Sequence, residues 1–107
     1  MHFIYAHLIG DYLIQNDWMA KGKKQSSWIC LVHVLTYLLP FLFCGLSWWK
    51  IAAIGVQHFA QDRTNIVVWA MKQYGKSDFA APPMAPWSII ITDNIWHVLF
   101  IALVVSL

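Results

Sequence analysis

Three pairs of one histidine and one aspartate recur in this chain at a spacing of four residues. The pairs are His7 with Asp11, His58 with Asp62 and, in reversed order, Asp93 with His97. Residues four apart share one face of a helix. Shuffling the five histidines and five acidic residues among 107 positions would give only about half of one such pair. The recurrence therefore predicts a common site.

Coordination of a divalent metal ion is the chemistry that these residue types support best. Neutral imidazole and carboxylate suit zinc, and manganese and iron are compatible alternatives. His33 lies in a further apolar segment and completes the set of predicted ligands, which are His7, Asp11, His33, His58, Asp62, Asp93 and His97. Seven candidates exceed the needs of one ion. One ion and two ions that share an aspartate both fit.

Several residues near the predicted ligands are candidates for other roles. Asp11, Asp62 and Asp93 are also catalytic candidates, because an aspartate that does not bind the metal can act as a base. We expect Arg63, the fourth catalytic candidate, to lie deep beside the ligands, either paired with Asp62 or as a clamp on a phosphate group. Four further polar residues are expected to support the ligands or to pack, and these are Gln15, Gln61, Asn65 and Tyr37.

The composition indicates a membrane protein. The chain is 60% apolar and only 11% charged, with seven tryptophans and no glutamate, whereas a soluble domain carries more charge. A bilayer core of about 30 Å requires about 20 apolar residues per helix. The apolar runs predict an all-α, integral membrane four-helix bundle with short connections, as a single transmembrane domain over residues 1–107. Its helices are expected at about 1–20, 28–49, 51–71 and 87–107.

The lysines predict an orientation in the membrane. Five of them fall in the first and third connections, against Lys50 alone in the second, and these five are Lys21, Lys23, Lys24, Lys72 and Lys76. Positive charge favours the cytoplasmic side, so both termini are expected outside, most simply in a bacterial inner membrane. The formal charge of +2 is too small and too scattered for nucleic acid. The expected partners are membrane lipid and a lipid-linked substrate, and a homo-oligomer is compatible.

Depth and energy both favour a shared site inside the bundle. At about 1.5 Å per residue, the seven predicted ligands fall in a slab roughly 13 Å thick. An aspartate at mid-bilayer costs about 2.5 to 3.5 kcal/mol, whereas a structural zinc site can contribute about 10 to 16 kcal/mol. Hydrogen bonding between helices, a proton or ion path and haem are the alternatives. Haem is the weakest, because it gives no role to an aspartate beside each histidine.

The chain also resembles a known family through a set of motifs. They are His7-Leu8-Ile9-Gly10-Asp11-Tyr12-Leu13-Ile14-Gln15, Trp18, Lys21, His33-Val34-Leu35-Thr36-Tyr37, His58-Phe59-Ala60-Gln61-Asp62 and Asp93-Asn94-Ile95-Trp96-His97. The pattern resembles, nearly end to end, the small membrane proteins grouped as domain of unknown function 3307. This resemblance implies a multi-span membrane protein of bacteria and their phages. The pattern is also similar to that of the membrane-bound metal-dependent hydrolases, an analogy that assigns no reaction.

Three functional hypotheses follow from the sequence. The first is a metal-dependent hydrolase that acts on a lipid-linked phosphoester or ester. The chain has no serine nucleophile motif and no glycine-rich phosphate loop, so a metal-activated water is the evident nucleophile. The second is a conduit for protons or metal ions, such as a phage protein that perturbs the host envelope. The third is a non-catalytic bundle that a metal ion holds together.

Overall fold

All regular secondary structure in the computed structural model, which describes residues 1–107, is helical, so the all-α prediction is confirmed. A π-helical turn, Ile9–Leu13, follows the first helix, and a 3-10 turn, Leu39–Phe43, follows the third. The six α-helices are α1 (Phe3–Leu8), α2 (Asp17–Gly22), α3 (Ser27–Leu38), α4 (Trp48–Arg63), α5 (Ile66–Gln73) and α6 (Trp87–Val105).

The first predicted helix, 1–20, is interrupted at Asn16. The backbone of Asn16 is extended, and its side-chain Oδ1 accepts a hydrogen bond from the backbone N of Met19 at 2.9 Å. An asparagine in this position caps a new helix, because its side chain satisfies a backbone N–H that has no partner within the helix. The segment is therefore two short helices joined through the π-helical turn.

The second and third predicted helices are also interrupted, each for a local reason. Pro40 has no backbone N–H to donate, so α3 ends at Leu38 and continues only as the 3-10 turn. The predicted helix 51–71 begins earlier, at Trp48, and breaks at Thr64, whose backbone is extended. The side-chain hydroxyl of Thr64 donates to the carbonyl of Ala60 at 2.7 Å and closes the last turn of α4.

The fourth predicted helix is continuous as α6. It is the one helix whose length and composition would allow it to cross a membrane, with a mean hydropathy of 1.9 over its most apolar window. The segment Ser27–Phe43 is apolar but shorter. Four uninterrupted spans, as the apolar runs predict, are therefore not what the chain forms.

The helices pack so that α4 lies between α3 and α6, while α1 contacts α6 and the 3-10 turn. An apolar cluster fills one part of this packing, and its buried members are Ala6, Tyr37, Phe41, Ile54, Ile101 and Val104. A smaller cluster of Val67, Met71 and Ala80 joins α5 to the connection that precedes α6. The ring of Tyr37 reaches from the larger cluster to the polar groups described below.

The polar and apolar side chains are distributed in an unusual way. Four histidines and two aspartates are buried, and these are His7, His33, His58, His97, Asp11 and Asp62. Large apolar side chains are exposed along the helices, and on α6 they include Ile91, Ile95, Leu99 and Leu103. Buried ionisable groups and an apolar exterior are the reverse of the pattern in a soluble domain.

Candidate metal centre

Asp11 reaches the interior from the π-helical turn, a geometry found often at functional sites. The preceding residue, Gly10, lies directly against α3. A Cβ atom at Gly10 would lie 2.7 Å from both the Cδ2 atom and the carbonyl oxygen of Tyr37. Because only glycine permits this approach of the two backbones, Gly10 sets the position from which Asp11 points inward.

α3 and α4 supply three further groups. His33 lies on α3, while His58 and Asp62 lie one turn apart on α4, so the packing of the two helices brings all three together. The ring of His58 stacks between those of Tyr37 and His97, with centroid distances of 3.7 and 4.0 Å. Stacking on both faces holds the imidazole plane of His58 in one orientation.

Asp11, His33, His58 and Asp62 form what we call the four-ligand group, in which no two ligand atoms are more than 4.8 Å apart. The Nε2 atoms of His33 and His58 are 3.0 Å apart, and each is 3.0 Å from Oδ2 of Asp62. Oδ1 of Asp11 is 3.3 Å from His33 Nε2 and 3.7 Å from His58 Nε2. Ligands bound to zinc at about 2.0 to 2.1 Å in a tetrahedron are about 3.3 Å apart.

One carboxylate oxygen of the four-ligand group lacks a hydrogen-bond partner. Oδ1 of Asp11 is buried and has no hydrogen-bond partner. An unpartnered carboxylate oxygen in the interior costs several kcal/mol of solvation, and a bound cation would offset that cost. The distances and the unpartnered oxygen together fit a divalent ion at the centre of the group.

A second group lies beside the first and consists of Asp11, Asp93 and His97. Nε2 of His97 is 3.5 Å from Oδ2 of Asp93 and 3.1 Å from Oδ1 of Asp62. The side chain of Gln61 donates to the carbonyl and to Oδ1 of Asp93, at 2.9 and 2.8 Å. Gln61 therefore orients Asp93, as expected of a residue that supports a ligand.

Comparison with known proteins places the chain in a family. A family model described as "Protein of unknown function (DUF3307)" matches residues 1–107. The chain belongs to the DUF3307 family. No curated protein and no solved structure matches this DUF3307 chain.

Lys23 is the cation beside the ligands of the DUF3307 chain. Its Nζ atom lies 3.0 Å from Oδ2 of Asp62 and also donates to Oε1 of Gln15 at 3.0 Å. Burial lowers the pKa of Lys23, but the carboxylates of Asp62 and Asp11 raise it by more, so its pKa lies above the ordinary value. The ammonium group is therefore charged and offsets part of the negative charge of the site.

The sequence predicts Arg63 as the cationic side chain beside the ligands, but the structure places its guanidinium away from them. Its guanidinium donates to the hydroxyl of Ser27 at 3.1 Å and to the carbonyl of Lys24, and it makes no ion pair with Asp62. The last turn of α4 directs Asp62 inward and Arg63 toward the turn between α2 and α3. The sequence indicates Lys23 only as a marker of orientation, because nothing in its spacing distinguishes it from the neighbouring lysines.

His7 is buried among other partners. Its Nδ1 atom is 2.8 Å from the hydroxyl of Tyr37, and its Nε2 atom is hydrogen-bonded to Oδ1 of Asn94. Both ring nitrogens are thus engaged, and His7 belongs to neither ligand group. The structure brings together the six other predicted ligands.

The ligand carboxylates open onto a cavity of about 330 Å³. Its charged lining residues are Asp11, Asp62, Asp93, Lys23 and Lys24. The remaining wall is largely apolar and includes Val67, Val68, Ile89 and Ile90, while Asn65 and Gln15 also line the cavity. This size falls in the range of small-ligand sites.

Proposed function

We propose that this DUF3307 protein is a membrane-embedded, metal-dependent hydrolase of a lipid-linked phosphoester or ester. The cavity carries the proposal, because it joins three kinds of surface within one volume. Ligand carboxylates would hold the ion, lysines would attract an anionic head group, and apolar side chains would accept a hydrocarbon chain. A substrate that combines phosphate with a lipid matches all three.

A membrane location is supported by the distribution of side chains. The exterior carries exposed leucine and isoleucine side chains on α6, where Leu99 is 64% exposed, while four histidines and two aspartates are interior. Interrupted helices are tolerated at membrane depth where they line a cavity inside the protein. We place the protein in a bacterial inner membrane, as a bundle of four segments with the lysine-rich connections cytoplasmic.

The chemistry follows from the residues around the cavity. A bound divalent ion lowers the pKa of water to about 7 and so supplies a nucleophile at neutral pH. Asp11, His33, His58 and Asp62 would hold the ion, with zinc favoured for two imidazoles and two carboxylates. The carboxylates that line the cavity can accept the proton of the attacking water. Lys23, rather than Arg63, is placed to stabilise negative charge on the substrate.

The test is a hydrolysis assay on protein purified in detergent and loaded with zinc or manganese. The substrates are phosphatidic acid, a polyprenyl diphosphate and a fatty-acyl ester, and the measured products are phosphate and free acid. We expect turnover of at least one substrate, lost in His58→Ala and retained in His7→Ala. His7 is an equally buried histidine outside both ligand groups, so it controls for the loss of an interior imidazole.

A proton path is the rival function, and one observation favours it. His33, Asp62, His97 and Asp93 form a continuous series in which neighbouring polar atoms are 3.0 to 3.5 Å apart. Such a series can pass protons. Metal-free protein that conducts protons across liposomes, and hydrolyses none of the three substrates, would support the relay over the hydrolase.

A further inference from the structure

We propose that the centre binds two divalent ions, bridged by Asp62, with the second ion held by His97 and Asp93. This inference rests on the proposed metal centre and extends it from one ion to two. It starts from the two oxygens of one buried carboxylate. Oδ2 of Asp62 faces His33 and His58, each at 3.0 Å, whereas Oδ1 faces His97 at 3.1 Å.

The second position has ligand atoms of its own. Oδ2 of Asp93 is 3.5 Å from Nε2 of His97, and the ligand atoms of Asp11, Asp93 and His97 all lie within 4.8 Å of one another. Asp11 belongs to both groups, so two carboxylates connect the positions. Carboxylate bridges of this kind occur in hydrolytic sites whose two ions are about 3.5 to 4 Å apart.

A network of amide groups determines which nitrogen of His97 carries the proton. The amide NH2 of Gln61 donates to Asp93, so its Oε1 is free to accept from the NH2 of Gln57 at 2.6 Å. Oε1 of Gln57 then faces Nδ1 of His97 at 3.4 Å and must accept from it. This chain of donors and acceptors assigns the proton of a neutral imidazole to Nδ1.

The unprotonated Nε2 of His97 is left facing two carboxylates. Its lone pair then points toward Oδ1 of Asp62 and Oδ2 of Asp93, a repulsive arrangement that either a second proton on the ring or a cation among the three atoms relieves. A metal ion satisfies all three. A hydrogen bond between Gln57 and the far nitrogen is the usual way in which proteins orient a metal-binding histidine.

Bound divalent ions would also make the net charge of the site more positive. Asp11, Asp62, Asp93 and Lys23 together carry −2, so one divalent ion makes the site neutral and two give it +2. A site of +2 attracts a phosphoester, which is anionic, more strongly than a carboxylic ester, which is neutral. The second ion therefore narrows the proposed substrate class to phosphoesters.

The experiment is a metal count by mass spectrometry on detergent-purified protein, loaded with manganese and then desalted. We expect two ions per chain, one in His97→Ala and two in His7→Ala. One ion in the wild type, unchanged in His97→Ala, would overturn the second site and leave the four-ligand group intact. No bound ion in the wild type would overturn both proposals.

A second variant and a spectrum distinguish loss of the second ion from misfolding of the protein. The Asp93 side chain is 23% exposed, so Asp93→Asn changes a less buried group and should also halve the metal content. Electron paramagnetic resonance of the manganese-loaded wild type should show an exchange-coupled pair, replaced in Asp93→Asn by the spectrum of an isolated ion. An isolated-ion spectrum in the wild type would contradict the bridge.

Discussion

The Nε2 atoms of His33 and His58 face each other 3.0 Å apart inside the protein. Both Nε2 atoms also lie 3.0 Å from the same carboxylate oxygen, Oδ2 of Asp62. The opposite nitrogens, Nδ1 of each ring, are buried without a hydrogen-bond partner. The Nε2 atoms of both rings are thus directed at one point between α3 and α4, where a cation would bind.

The first prediction concerns removal of one ligand of the four-ligand group. We expect His58→Ala to lower zinc affinity by more than about 100-fold, because loss of a supporting residue alone costs about 10 to 100-fold. Competition with a chromophoric chelator measures the affinity in detergent. His7→Ala is the control and should bind zinc normally. Equal loss in both variants would mean that His7 is a ligand, as the sequence predicts, or that either loss disrupts the interior.

The second prediction concerns removal of the metal itself. If zinc binds only the folded chain, a free zinc concentration of 100 times Kd should raise the free energy of unfolding by about 2.7 kcal/mol. Thermal unfolding in detergent, with zinc and then with a chelator, measures the difference as a shift in Tm. Asp62→Asn should show no shift. A Tm in the wild type that is the same with and without zinc would contradict the metal centre.

The third prediction concerns Gly10. We expect Gly10→Ala to destabilise the fold by about 1 to 3 kcal/mol, because the new methyl group would overlap the backbone of Tyr37. The variant should also bind zinc less tightly, since Asp11 is displaced. Gly55→Ala is the matched control, because its added Cβ meets only the flexible end of Leu38. Thermal unfolding measures the stability of the two variants, and zinc titration measures their affinity for zinc. Equal effects in both variants would contradict the assigned role of Gly10.

The fourth prediction concerns Lys23 and the substrate. If the ammonium contacts an anionic head group, Lys23→Met should raise KM by about 10 to 100-fold, the value of one charge-assisted hydrogen bond of about 1.5 to 3 kcal/mol. Metal content should stay unchanged. Lys21→Met is the control, since Lys21 is exposed and outside the cavity. A fall in metal content without a change in KM would make Lys23 a support of Asp62 alone.

The fifth prediction concerns Gln57 and rests on the second ion. Gln57→Leu removes the acceptor that faces Nδ1 of His97, and should weaken the second ion by about 10 to 100-fold. The first ion should be unaffected. Stepwise manganese titration, followed by electron paramagnetic resonance, measures the affinities of the first and second ions separately. Two unaltered binding steps in Gln57→Leu would show that the amide network does not orient His97.

The sequence alone predicted the all-helical fold, the apolar exterior and most of the candidate site. A histidine and an aspartate four residues apart must share a helix face, and a low charge content limits where ionisable groups can lie. These are properties of spacing and composition, so His58 with Asp62 could be recognised as a pair without any knowledge of the neighbouring helices. Their convergence with Asp11 followed from the improbability of the repeated pattern, and that with His33 from its place in a further apolar segment at a similar depth.

Only the tertiary structure decided where the helices break and that Lys23, rather than Arg63, is the charged side chain beside the ligands. Asn16 begins a helix, and Pro40 and Thr64 end helices, through single hydrogen bonds or the lack of one, effects too local to alter an apolar run. Lys23 contacts Asp62, whereas Arg63 contacts Ser27 and Lys24, and these partners depend on how the turn after α2 and the end of α4 pack together. Which nitrogen of His7 or His97 meets which partner likewise depends on contacts between residues far apart in the chain, and no spacing rule encodes those contacts.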